Sequence, residues 1–162
     1  MALRKPLVIV AGLVEQIQAG DTLDATVAEI ETLTQTSGEA GGIVIGTPVY
    51  SSAADTVKKA KSDASGTIEV VGFAKSTFVT TGSGSVQTSG TLSLTTAQWD
   101  AVATGDTQSG GLTAGAVYYL DDAVVGEITV TAPTSAGKYV LRLGKGISTT
   151  ELLIDIGEPI LL

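Results

Sequence analysis

The chain has 162 residues and a mass of 16.3 kDa, long enough to bury roughly two thirds of its unfolded surface without covalent staples. It contains no Cys and no His, which removes disulfide frameworks, cysteine nucleophiles, the usual zinc and iron ligands and the side chain most used for proton transfer near neutral pH. A formal charge of −8 and a sequence pI near 4.3, with the nine Lys and Arg scattered, argue against nucleic acid as a partner.

In chain order, Lys5 to Asp21 reads as two short extended pieces hinged at Gly12 and ended by Gly20-Asp21, an arm more than a domain. Arg4 and Lys5 resemble the start of a secretion signal, but the apolar run Leu7 to Val14 is brief, broken by Gly12 and followed by Glu15, so a signal is not expected. Thr26 to Thr36 carries both helical and alternating spacing, and its Thr-heavy content tips it towards a strand. Gly38 to Gly42 supplies a turn, and Ile43 to Tyr50 is expected to return as the second strand of a hairpin. Ser51 to Ser65 is the best helix candidate, with Ser52 as N-cap, Asp55 in the first turn and Lys58, Lys59 and Lys61 towards the C-terminal end.

Ile68 to Ala74 and Thr77 to Thr81 read as strands, Gly82 to Ser85 as a turn, and Val86 to Leu94 as a strand pair about Ser89-Gly90. Thr95 to Val102 resembles a capped helical turn, with Thr95 or Thr96 as cap and Trp99 and Val102 facing inward. Thr104 to Gly111 is a loop. Strands are expected at Val117 to Leu120, Glu127 to Thr131, Lys138 to Leu143 and Glu151 to Ile156, separated by Asp121-Asp122, Pro133 to Gly137 and Gly144 to Gly146.

Charged residues are 16% of the chain, Gly is abundant at 20 residues, and Thr and Val are frequent. The expected class is all-β, mostly antiparallel: a small sandwich or barrel of short strands with one or two short helices and an extended N-terminal arm. No apolar stretch approaches the eighteen or so residues that span a bilayer, so no membrane partner is expected despite a mean hydropathy of +0.34. A weak internal repeat divides the body, residues 25–162, into two related β-units at about 42–94 and 111–157. Its marks are Gly46 to Tyr50 beside Gly115 to Tyr118, Ala64 to Gly66 beside Ser135 to Gly137, and strands ending at Gly72 and Gly144.

No catalytic constellation assembles. A serine nucleophile lacks His as a base, and none of Lys58, Lys59, Lys61, Lys75, Lys138 or Lys145 sits in a helix-opening Ser-x-x-Lys. Asp121-Asp122, Glu127, Asp155 and Glu158 are glycosidase carboxylates by type alone, and adjacent Asp residues on an extended chain point to opposite faces. Asp21 with Asp24, or Asp121 with Asp122 and Glu127, lack the spacing of a calcium loop. The Gly82-Ser-Gly84 and Gly144-Lys-Gly146 stretches lack a phosphate-binding ending and read as hairpin turns. No enzyme activity, cofactor or metal is expected, and Glu29, Glu31, Asp121 and Asp122 are expected to face solvent.

Lys5-Pro-Leu-Val-Ile-Val-Ala-Gly-Leu-Val-Glu-Gln-Ile-Gln-Ala-Gly-Asp-Thr-Leu23 resembles the opening arm of tailed-bacteriophage virion proteins. Gly42 to Tyr50, Thr96 to Val102, Gly111 to Leu120 and Glu151 to Leu162 are similar to small phage head-decoration or fibre proteins. The resemblance implies a non-enzymatic virion structural protein: a capsid decoration or short head fibre that is made in the host cytoplasm and acts on the capsid surface. It further implies a homotrimer, docked on the major capsid protein or another virion protein through an arm at residues 1–24. A tail or head appendage that binds a host receptor is the alternative. Both ends of the chain are apolar where a free monomer is normally polar, so the expected attachment residues are Leu7, Val8, Ile9, Val10, Leu13, Val14, Ile160, Leu161 and Leu162, with Leu7 to Val14 reading equally as the first strand of the domain's own sheet.

Overall fold

The computed structural model describes residues 7–10, 13–16, 32–103 and 108–162. β1 (Leu7–Val10) and β2 (Leu13–Gln16) form an antiparallel pair, Leu7 opposite Gln16 and Val10 opposite Leu13. The body that follows is all-β and mostly antiparallel, as its Thr, Val and Gly content predicts.

β3 (Thr32–Ser37), β4 (Pro48–Ala53), β5 (Thr56–Lys59), β6 (Val70–Ala74) and β7 (Ser83–Gln87) close into a barrel in the order β3-β5-β4-β6-β7. β3 closes it, pairing antiparallel with β7 and parallel with β5. Next come β8 (Thr91–Ser93), the helical turn α1 (Thr96–Asp100), β9 (Val117–Leu120), β10 (Ile128–Thr129) and β11 (Tyr139–Val140). β12 (Arg142–Gly146), β13 (Glu151–Ile154) and β14 (Ile160–Leu161) complete the chain. β10-β9-β12-β13-β8 form an open antiparallel sheet, and β11 pairs with β14 beside it.

Taken from β5, the barrel order is β5-β4-β6-β7-β3, and the sheet repeats it strand for strand as β10-β9-β12-β13-β8. The pairs β4–β6 and β9–β12 each carry a register irregularity. Gly46 and Gly115, which precede β4 and β9, both have positive φ, 87° and 84°. Gly72 and Gly144 both press against a neighbouring strand, where an added Cβ would lie 2.4 Å from the Gln87 carbonyl oxygen and 2.2 Å from that of Leu153. The unit boundaries differ from the sequence reading, because β3 belongs to the first set and β8 to the second.

Two apolar clusters hold the body. Ile43, Val49, Val57, Ala74, Phe78 and Val86 fill the barrel. The larger cluster joins Ala60, Ile68 and Phe73 from the first strand set to Trp99, Tyr118, Leu120, Leu143 and Leu152 from the second. Main-chain bonds cross the same boundary: Gly126 N–H donates to the Ala60 carbonyl, and Tyr139 N–H to that of Ser62.

α1 matches its prediction. Thr95 caps it, its hydroxyl accepting from Gln98 N–H while the Gln98 side chain accepts from Thr95 N–H, and Trp99 and Val102 are buried. Other expectations are corrected. Ser51 to Ser65 is not a helix but the end of β4, a turn at Ala54-Asp55, β5 and the loop that follows. Asp55 takes the left-handed φ of 51° that reverses the chain, and Val57 enters the barrel core. Ile43 to Tyr50 does not pair with β3, since Ile43 bridges Phe78 while β4 lies between β5 and β6. Thr77 to Thr81 contributes only that bridge.

Gly144-Lys-Gly146 lies in β12, not in a turn, whereas in Gly82-Ser-Gly84 the first glycine closes a turn, its N–H donating to the Val79 carbonyl over 2.9 Å, and Ser83 and Gly84 already belong to β7. A Cβ on Gly84 of β7 would sit 2.8 Å from the Phe78 ring, so the glycine gives that ring its place against the strand. β7 and β8 flank Ser89-Gly90 without pairing, and that link carries the chain from barrel to sheet. The start of the Thr26 to Thr36 strand, Glu29 and Glu31, and residues 104–107 of the expected loop lie outside the described residues.

Candidate attachment surface

β14 owes its position to β11. Leu162 N–H donates to the Lys138 carbonyl over 2.9 Å, and Gly137 N–H donates to the Leu162 carbonyl over 3.0 Å. With Val140 opposite Ile160 and Tyr139 opposite Leu161, antiparallel alternation makes Tyr139 and Leu161 the non-bonded pair. Tyr139 accordingly turns its N–H away from β14, to the Ser62 carbonyl at 2.9 Å. The Leu161 N–H and carbonyl turn the other way, onto the open edge of β14.

Side chains on this strand are as unmet as its backbone. Ile160 is 61% exposed, Leu161 60% and Leu162 44%. Single exposed apolar residues are ordinary on a protein surface, but three in sequence along an edge strand form an association-prone edge. The structure therefore presents Ile160, Leu161 and Leu162, the C-terminal residues expected to serve attachment, at the surface. Leu7, Val8, Ile9 and Val10 lie on β1 and Leu13 and Val14 on β2; the backbone pairs of these strands are those between them, and their side chains lie outside the described residues.

Two of the carboxylates that could have carried chemistry, Asp121 and Asp155, have structural tasks. Asp121 is buried, contrary to expectation, because one carboxylate oxygen accepts from Ala123 N–H at 2.6 Å and Val124 N–H at 2.8 Å and so fixes the turn after β9. Asp155 pairs with Arg142 across the sheet surface. The Asp100 carboxylate accepts from Gly110 N–H at 3.0 Å and Gly111 N–H at 2.8 Å, tying the loop back onto α1. Among the described residues, no three acidic side chains gather where an ion would sit. An open polar hollow of about 350 Å³, lined by Asp121, Asp122, Thr129, Thr131 and Ser135, borders the turn into β11. The lysines expected on a helix lie on and just after β5; Lys61 pairs with Asp63 at 2.8 Å, and Lys59 N–H donates to the Glu39 carboxylate at 3.1 Å. The Lys61 ammonium holds the Asp63 carboxyl below its ordinary range.

The chain matches no family model and none of the curated proteins.

Sequence reasoning missed further exposed apolar side chains: Val79 at 69%, Val44 at 47%, and Leu153 and Ile147. Leu153 shows why. It faces outward between the buried Leu152 and Ile154 of β13, and the apolar run Leu-Leu-Ile carries no alternation that marks its outward member.

Proposed function

We propose that this chain is a non-enzymatic structural protein of a tailed-bacteriophage virion, a capsid decoration or short head-fibre subunit that works as a homotrimer and stabilises the assembled shell. The observation that carries the reading is the open, apolar edge of β14, on a body where Asp121 fixes a turn and Asp155 pairs with Arg142. Such an edge suits a protein that functions by being bound. The strand-and-turn resemblance to phage head proteins adds the context of a capsid surface and the major capsid protein as partner.

Linkage supplies the mechanism. A ligand that binds the assembled shell but not its parts stabilises assembly by RT ln(1 + [L]/Kd), about 2.7 kcal/mol per site at a hundredfold excess over Kd. The test is the temperature at which packaged DNA is released from particles with and without the protein. Decorated particles release it at the higher temperature. Equal temperatures reject the reading and put the receptor-binding appendage in its place.

A further inference from the structure

Among the described residues, β14 and β1 each pair on one side only, and each is apolar along its length. The first is β14, whose Leu161 N–H and carbonyl turn outward beside the exposed Ile160, Leu161 and Leu162 side chains. The second is β1, Leu7-Val-Ile-Val10, whose partner among the described strands is β2. A strand apolar at every position asks for cover on both faces. A two-stranded hairpin standing alone is marginal in water. Among the described residues, β1 and β14 do not pair with each other within one chain, although the polypeptide tethers them together.

We propose that β14 is the acceptor edge for β1 of a second copy of this chain, so that copies assemble by passing their N-terminal hairpins from one to the next. Adding β1 to β14 extends the β11–β14 pair into a four-stranded sheet with β2 and covers Ile160 and Leu162 with the apolar residues of the donated strand. The contact is heterologous, since one copy gives its N-terminal hairpin and the next receives it on β14, and a heterologous contact that closes makes a ring. The inference rests on the assembly-subunit reading above and names the neighbour that meets this edge first.

The experiment uses the isolated full-length protein, so its outcome is independent of whether particles are bound or stabilised. Because the chain has no Cys, introduced thiols report without background. Leu7→Cys, Val8→Cys, Ile9→Cys and Val10→Cys are each prepared with one affinity tag and mixed, after joint unfolding and refolding, with Leu161→Cys carrying another. Neighbouring strands hold opposed residues within disulfide reach, so mild oxidation is expected to join differently tagged copies, whatever the register, through at least one of the four positions. Linkage of Leu161→Cys only to itself, or no linkage at any position, overturns the proposal. Bonding only within one copy, in doubly substituted chains at low concentration, overturns it as well.

A second variant reads the edge directly. Leu161→Pro removes an N–H that the folded chain does not use while keeping the strand at an edge, where proline is tolerated. The expected result is an oligomer dissociation constant raised about tenfold or more with an unchanged β-type circular dichroism spectrum. An unchanged constant overturns the proposal.

Discussion

Gly144 shows how much of this fold turns on the absence of a single carbon. It lies opposite Ile154 in the β12–β13 ladder, and a Cβ there would stand 2.2 Å from the Leu153 carbonyl oxygen, a main-chain atom that cannot swing aside. Gly144→Ala is expected to cost about 1–3 kcal/mol, the range for forcing extra volume into a packed site. Gly66→Ala, with no neighbour within 4 Å, should stay within about 0.5 kcal/mol of the parent. Urea denaturation of the two variants checks the contrast, and equal losses would remove close approach as the reason for glycine at 144. The sequence could not display this. Gly-Lys-Gly and Gly-Ser-Gly look like turns because the atoms that exclude a side chain, Leu153 O and the Phe78 ring, come from elsewhere in the chain. By contrast, the Thr95 cap and the inward Trp99 were legible, since a capping box and its helical spacing lie within one short stretch.

At the scale of an element, the segment after β4 is the instructive case. Three lysines, an early acid and a serine satisfied every local rule for a helix, yet the chain reverses at Asp55 and runs back as β5. Partners decided it: β5 lies between β3 and β4, and Val57 fills the barrel, contacts no local pattern encodes. Propensity yields to tertiary pairing here. In the loop beyond β5, the Lys61–Asp63 pair offers a pH-dependent contribution. The side-chain bond from Lys61 is the largest cause lowering the Asp63 pKa from 3.8, and burial opposes it. A depressed carboxyl pKa stabilises the fold above 3.8, and that contribution disappears as pH falls through the lowered folded value. Both side chains are partly exposed, so the term stays under about 1 kcal/mol. Lys61→Ala should lower stability by that small amount at pH 7 and leave it unchanged below both pKa values, as read from denaturation midpoints. A loss of equal size at both pH values would assign the effect to packing of the lysine stem.

For the whole molecule, the shared core makes barrel and sheet one cooperative body. Phe73 belongs to β6 of the barrel but packs in the cluster that holds Trp99, Tyr118 and Leu152. Heating is therefore expected to give one calorimetric transition, with Trp99 fluorescence and far-ultraviolet circular dichroism changing together. Phe73→Ala should lower both by the same shift, corresponding to about 3–5 kcal/mol. Two separate transitions would divide the body. The matching strand order was legible in part, through Gly46 with Gly115 and Gly72 with Gly144, because these glycines mark equivalent bends and close approaches. Closure of one set and not the other was invisible, since it depends on β3 reaching β5 in parallel. That closure also bears on vectorial synthesis. Every barrel strand lies between Thr32 and Gln87, so the ladder is complete once Gln87 has left the ribosome, whereas β8 must wait for β13, its only partner in the sheet, to emerge. The nascent chain thus has every barrel strand available before the sheet exists, while Ala60, Ile68 and Phe73 wait for Trp99, Tyr118 and Leu152 to complete their cluster.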